Sequence, residues 1–352
     1  MLLTQASSST ACRRPRGGVA PRSPQAPSHR TVASAPACRA RARGPTTRLL
    51  FATANDSGVP SDGEVVPLAA LPPASSSYAG LRLLVVGGGG GVGRAVCAAA
   101  AAEGVPVTAL VRDTAAARAV LPSSVALVRG DVTRFASLAA ALDAAGDFNA
   151  VVWAAGSNSL AGFSRGVREG GPAGLVRALA AAANPLTARG VELGGVENLL
   201  AILQRRKEGG PLKSLVLVSS IGADDPLAQA AFPGLVLLWK KRAEEAVQRS
   251  GLPHTIVRPG GLKNDKKTGD TSASSSIASP GSADLVMTGP DGIGVGGGRR
   301  RPGSIRRAQV ADVCLAALVT PEAAGKVVEV VADGKGGGAR APWADLFAGT
   351  EQ

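Results

Sequence analysis

Leu83-Leu84-Val85-Val86 runs without interruption into Gly87-Gly88-Gly89-Gly90-Gly91-Val92-Gly93-Arg94 and then into Ala95-Val96-Cys97-Ala98-Ala99-Ala100-Ala101-Ala102. Few folds accommodate such a run. A short apolar stretch bounded by turn residues suits a buried strand, consecutive glycines favour a turn, and alanine is the strongest helix former. The order is therefore strand, tight turn, helix. Gly87, Gly90 and Gly93 fit the spacing G-x-x-G-x-x-G. In that spacing the first glycine permits the turn, the second lets backbone approach a pyrophosphate, and the third lets helix pack closely on strand. Backbone N–H groups at the helix start, from Gly91 and Val92 to Gly93 and Arg94, then face the anion. This context predicts a dinucleotide-binding loop.

Downstream, short runs of branched apolar residues alternate with alanine-rich stretches. Strands are predicted over 81–86, 105–111, 125–128, 150–154, 215–218, 255–257 and 326–331. Helices are predicted over 92–103, 114–120, 134–145, 191–206, 236–250 and 308–319. The alternation implies an α/β fold, a doubly wound parallel sheet of the Rossmann type, forming a single domain over 80–334. Residues 56–79 read as a linker and 335–352 as a tail. Two segments break the rhythm, 157–190 and 264–304, and both are expected to be loops at one end of the sheet. The second is rich in Ser and Gly and is expected to be a flexible insertion.

The first 55 residues hold nine arginines, no lysine and no acid. With six prolines from Pro15 to Pro45 breaking any amphipathic helix, they read as a plastid transit peptide rather than a secretory signal or a mitochondrial presequence. Removing those arginines lowers the formal charge from +13 to +4, so most of the basic balance is an address. The cluster Arg299, Arg300, Arg301, Arg306 and Arg307 lacks interleaved aromatics, and nucleic-acid binding is not expected from it. Two histidines and widely spaced cysteines offer no metal site. Cys97 and Cys314 are expected to pack in the core. No apolar run is long enough for a membrane span.

The nicotinamide cofactor is predicted to be NADP(H). In NAD enzymes an acid closing the second strand meets the ribose 2′-hydroxyl. Here Leu110-Val111-Arg112-Asp113 places Arg112 at that strand end, 19 residues after Gly93, and a guanidinium can hold a 2′-phosphate by charge-assisted hydrogen bonds. Arg94 offers a second positive contact. The alternative makes Arg112 a surface charge and Asp113 the cap of the next helix. Asp131 and Val132, after the third strand, are placed near the adenine, with a helix cap as the competing role for Asp131. Ala155, after the fourth, is placed near the central ribose.

These residues resemble the atypical, NmrA-like branch of the short-chain dehydrogenase/reductase superfamily, especially its plastid NADPH-binding members. The resemblance runs through most of 81–331. It is carried further by Glu192-Leu193-Gly194-Gly195-Val196-Glu197-Asn198, Leu215-Val216-Leu217-Val218-Ser219-Ser220, Leu238-Trp239-Lys240-Lys241 and Thr255-Ile256-Val257-Arg258-Pro259-Gly260. It implies that Lys240 holds the nicotinamide ribose and that the Arg258-Pro259 turn lies near the nicotinamide. Catalytic members place a tyrosine four residues before that lysine, and Val236 stands there. Tyr78 is the only tyrosine in the chain, so tyrosine-assisted proton transfer is absent. Ser219 and Lys240 are the catalytic candidates, with Lys240 either donating a proton or only bonding ribose hydroxyls. Lys240 with Glu244 and Lys241 with Glu245 also have the spacing of ordinary helix-surface pairs. Gln309 replaces an aspartate common on the late helix. Two functions follow: an NADPH-dependent oxidoreductase acting on a small plastid metabolite, or an NADPH-sensing scaffold that meets a plastid protein partner.

Overall fold

Successive side chains of a strand point to opposite faces, and all four residues of Leu83–Val86 are buried, so this strand requires helices on both sides. A computed structural model shows how they are supplied. It describes residues 65–66, 76–157, 170–174, 176, 185–206, 211–263, 285–290, 303–332 and 341–350, all within one compact unit, Ala54–Gln352. The expected transit peptide, 1–55, lies outside the described residues.

The strands are β1 (Val65–Val66), β2 (Leu83–Val86), β3 (Val107–Val111), β4 (Ala126–Arg129), β5 (Ala150–Trp153), β6 (Ser214–Val218), β7 (His254–Pro259), β8 (Gly261–Lys263), β9 (Leu285–Thr288), β10 (Ser304–Arg306) and β11 (Val327–Ala332). The helices are α1 (Gly91–Ala102), α2 (Thr114–Arg118), α3 (Phe135–Ala144), α4 (Pro185–Ala188), α5 (Gly195–Leu203), α6 (Pro226–Ala231), α7 (Val236–Arg249), α8 (Arg307–Val319) and α9 (Trp343–Ala348). A π-helical turn, Arg189–Gly194, joins α4 to α5.

Along the sheet the order is β1-β4-β3-β2-β5-β6-β7-β11-β10-β8, with β9 added on β11. From β4 to β11 the pairs are parallel, as the strand-helix alternation predicted. Leu83 and Val85 pack with Val96 and Cys97 of α1 and Val310 and Val313 of α8. Leu84 and Val86 pack on the other face with Leu138 and Leu142 of α3, Leu199 of α5 and Val247 of α7. Each such side chain, fully buried, contributes roughly 1.5–3 kcal/mol. Burial pushes the Cys97 and Cys314 thiols up to about 12, with Asp312 adding to the effect at Cys314. Both are packing residues rather than nucleophiles at neutral pH.

The structure corrects four boundaries. Within the expected linker, β1 pairs antiparallel with β4 and Tyr78 is buried in the core. Within the expected flexible insertion 264–304, β9 pairs antiparallel with β11 and buries Met287 and Thr288. A four-residue strand among serines and glycines carries too weak a periodic signal, and only its long-range partner stabilises it. The rest of that insertion lies outside the described residues. Within the expected loop 157–190, α4 leads into the π-helical turn; 158–169 lie outside the described residues. The expected tail contains α9, whose Phe347 is buried beside Trp343; just after the helix, the Thr350 carbonyl accepts from Lys326 Nζ at 2.6 Å.

Candidate functional site

The glycine turn shows why side chains are excluded from it. Gly87 adopts a left-handed φ of +84°, and a Cβ there would fall 2.6 Å from the backbone N and Cα of Ala155 on the neighbouring strand end. A Cβ on Gly93 would run into the Gly87 carbonyl oxygen and sit 2.9 Å from the Gly88 Cα. The turn is fastened by Gly90 N–H donating to Gly87 O at 2.9 Å and by Arg94 N–H donating to Gly90 O at 2.8 Å. Helix α1 begins with no side-chain cap and no acid in its first turn. Its positive end is thus left open to an anion.

Sheet order reverses between β2 and β5, where ligand crevices form in such folds. A cleft of about 950 Å³ opens there. Gly87, Gly89 and Gly90 form its floor, while Arg112, Asp131, Val132 and Ala155 line its walls. Of the residues expected to hold a dinucleotide, the cleft brings together Gly87, Gly90, Arg112, Asp131, Val132 and Ala155. Gly91, Val92, Gly93 and Arg94 form the first turn of α1. Asp113 accepts from Ala116 N–H at 2.9 Å and caps α2; it and Arg112, both exposed at the end of β3, line the cleft side by side. Asp131 Oδ1 accepts from Thr133 N–H at 2.9 Å and from its hydroxyl at 2.7 Å. It closes a local turn instead of capping α3, whose N-cap is Arg134.

Lys240 and Ser219 lie in a neighbouring recess with Trp153 and Glu192, too tight to admit water. Lys240 Nζ is 2.9 Å from Glu192 Oε2. Glu192, 3% exposed, also accepts from Ser157 N–H at 2.6 Å through Oε1. Ser157 belongs to the cleft wall, so one carboxylate links the lysine to the cleft. Sequence reasoning assigned Glu192 no role. Its signals were its place at the head of a run that carries the family resemblance and its being an acid among apolar residues, on what proved to be a π-helical turn, a distortion frequent at functional sites. Ser219 Oγ is buried without a hydrogen-bond partner among the described residues. Val236, where catalytic relatives carry tyrosine, is buried. Helix α7 is entered through Leu235 at φ 55°, a left-handed conformation that costs about 1–2 kcal/mol.

Arg258 and Pro259 do not line the cleft. The Arg258 guanidinium, 1% exposed, donates through Nε and Nη2 to both oxygens of Glu244 at 3.0 and 2.7 Å and through Nη1 to Asp224 at 2.7 Å. Glu329 of β11 lies 3.6 Å away. Burial acts to lower the Arg258 pKa, but the bonds and charges of Glu244 and Asp224 outweigh it and raise the pKa above its ordinary value. The guanidinium therefore joins β7, β11, α7 and the loop after β6. His254 bonds the Leu252 carbonyl through Nδ1 at 2.8 Å.

A parallel sheet wound on both faces, with a glycine turn opening a cleft at its reversal point, defines a Rossmann-type nucleotide-binding protein. The family described as NAD(P)H-binding matches residues 87–321, and the chain belongs to it, within the NmrA-like, atypical short-chain dehydrogenase/reductase branch. The chain is 37% identical over 155 residues to an uncharacterized chloroplastic protein of Arabidopsis thaliana, covering 41% of this chain and 45% of that one. It is 33% identical to sanguinarine reductase of Eschscholzia californica, covering 34% and 38%. These matches span less than half the length of either relative. The oxidoreductase ylbE of Lactococcus lactis shares the fold, with a TM-score of 0.51 at 16% identity over 76% of this chain and 95% of that one. The chloroplast location expected from the N-terminal composition agrees with several chloroplastic relatives. No helix among the described residues is long and apolar enough to cross a membrane.

Proposed function

We propose that the chain is a chloroplast oxidoreductase that uses NADP(H) on a small molecule and does without tyrosine-assisted proton transfer. The carrying observation is Arg112 on the cleft wall, exposed at the end of β3, with the adjacent acid, Asp113, engaged through Oδ1 in capping α2. The first-turn N–H groups of α1 would face the pyrophosphate, Arg112 and Arg94 the 2′-phosphate, Val132 and Asp131 the adenine, and Ala155 the ribose. The nicotinamide, when bound, supplies or accepts a hydride. Lys240 then holds a proton at Nζ, oriented by Glu192, and Ser219 is the hydroxyl at hand once the recess opens to admit substrate.

Calorimetry of NADPH and NADH on the full chain tests the cofactor. Arg112→Ala should weaken NADPH by tenfold to about a hundredfold, the worth of hydrogen bonds to a charged group, with NADH nearly unchanged. Equal binding of both nucleotides, unaffected by the variant, would exclude the NADP(H) assignment.

A second reading is favoured by Val236, which removes the usual proton donor: an NADPH-responsive scaffold whose segments 157–190 and 264–304 meet a plastid protein. Turnover separates the two. In a preparation that reduces a small carbonyl compound with NADPH, Lys240→Met should lower kcat by about 10²–10⁴; unaltered kcat would remove Lys240 from the chemistry. For a scaffold, NADPH should instead change protease cutting within the two segments, and identical cutting would count against that role.

A further inference from the structure

We propose that Arg307 is a phosphate-binding residue of the dinucleotide cleft, delivered to the glycine turn from the first position of α8. A Cβ built on Gly91 would lie 2.8 Å from Arg307 Cδ and 3.3 Å from its Cζ, and would collide with its Nε. These are the three nearest atoms, so the half-buried arginine passes over the first residue of α1. The spacing Gly87, Gly90, Gly93 makes no demand on position 91. The glycine found there is accounted for by the arginine that crosses it.

Electrostatics gives the arrangement its meaning. The start of α1 carries neither a side-chain cap nor an acid in its first turn, and the helix end has a partial positive charge. A guanidinium laid against that end sets further donors of the same sign beside the first-turn N–H groups, and the two sets together suit one anion. The position is held by packing that involves no ligand, since Val96 and Cys97 of α1 share one core cluster with Val310 and Cys314 of α8. The arginine cluster expected at 299–307 is also not one surface patch among the described residues. Arg306 bonds Gln309 Oε1 through its backbone N–H at 3.1 Å and its Nε at 3.3 Å, whereas Arg307 lies against Gly91 at the start of α1.

The inference rests on the cleft being the dinucleotide site and adds a prediction of its own. The pyrophosphate is common to NADPH and NADH, so Arg307→Ala should weaken both alike, by about tenfold or more, in contrast to the NADPH-selective Arg112→Ala. Arg307→Lys, which keeps the charge without the planar fork, should lose less. Gly91→Ala should mimic Arg307→Ala by displacing the side chain, and Gly91→Ala combined with Arg307→Ala should bind no more weakly than Arg307→Ala alone, because nothing then remains to displace.

Calorimetry with both nucleotides on the full-length chain reads all of this, with unliganded thermal midpoints recorded to separate folding from binding. Should Arg307→Ala not fold, Gly91→Ala and Arg307→Lys decide the matter. Unchanged affinities in a chain that binds normally would overturn the role of Arg307 and leave the cleft assignment standing. A further loss from Gly91→Ala in the Arg307→Ala background would overturn the link between the two residues. Failure of the unaltered chain to bind either nucleotide would overturn the cleft assignment, and Arg307 with it.

Discussion

Replacing Arg258 by methionine should destabilise the fold by about 3–5 kcal/mol, the effect of removing one partner from a buried charge cluster. The guanidinium is 1% exposed and faces Glu244, also 1% exposed, and Glu329, 2% exposed. Without it two carboxylates stay in the interior, and the cation that remains beside Glu244 is Lys241, 3.7 Å away and itself partly exposed. Denaturant midpoints at neutral pH measure the loss. Adding Glu244→Leu should recover part of it, because one unpaired buried charge is then gone.

Acid probes the same cluster. Burial works to raise the Asp224 pKa, but the hydrogen bond and charge of Arg258 outweigh it and hold the carboxyl below its ordinary 3.8. A carboxyl lowered on folding contributes stability above its unfolded-state pKa and loses it as pH falls through the lowered value. That loss should appear in acid titrations of the unaltered protein and vanish in Arg258→Met. Identical midpoints for the two proteins would mean that the cluster has no net influence on folding.

Gly93→Ala should abolish measurable binding of both nucleotides, a loss of at least about a hundredfold, and should cost roughly 1–3 kcal/mol of stability through overpacking. The added methyl would meet the Gly87 carbonyl and the Gly88 Cα. These are backbone atoms that yield only if α1 moves off β2, and the first-turn N–H groups would move with it. Gly89→Ala is the control for stability, since its nearest neighbour would be Val111 Cγ1 at 3.8 Å; its unfolding midpoint should shift by no more than about 0.5 kcal/mol. Calorimetry and denaturant unfolding on the two variants check both statements. Gly93→Ala binding NADPH normally would mean that the turn is not where the pyrophosphate sits.

Much of the architecture was legible before any coordinates. Leu83–Val86 announced a strand buried on both faces, the glycines a turn, and the alanines a helix, because each pattern depends on neighbours within a few residues. The same held for β3 to β7, for the α1, α3, α7 and α8 spans within two residues of their ends, and for Arg112 at a strand end. Reading by spacing failed where a partner lay far away in the chain. Lys240 and Glu244 have helix-surface spacing, yet Lys240 pairs with Glu192 and Glu244 with Arg258. Tyr78, Leu285–Thr288 and Phe347 sit in segments whose composition reads as linker, insertion and tail, and long-range packing alone draws them into the sheet and core.

The sequence by itself determined the class of fold, the place of the nucleotide turn and the missing tyrosine, since backbone propensity and side-chain periodicity are local properties. Only the tertiary structure decided that Arg258 is enclosed among carboxylates, that Glu192 joins Lys240 to the cleft wall and that Arg307 lies across Gly91. Those pairings join residues 14 to more than 200 positions apart, and the geometry of the packed sheet and its helices, not any local preference of the chain, sets which of the available partners each charge can reach.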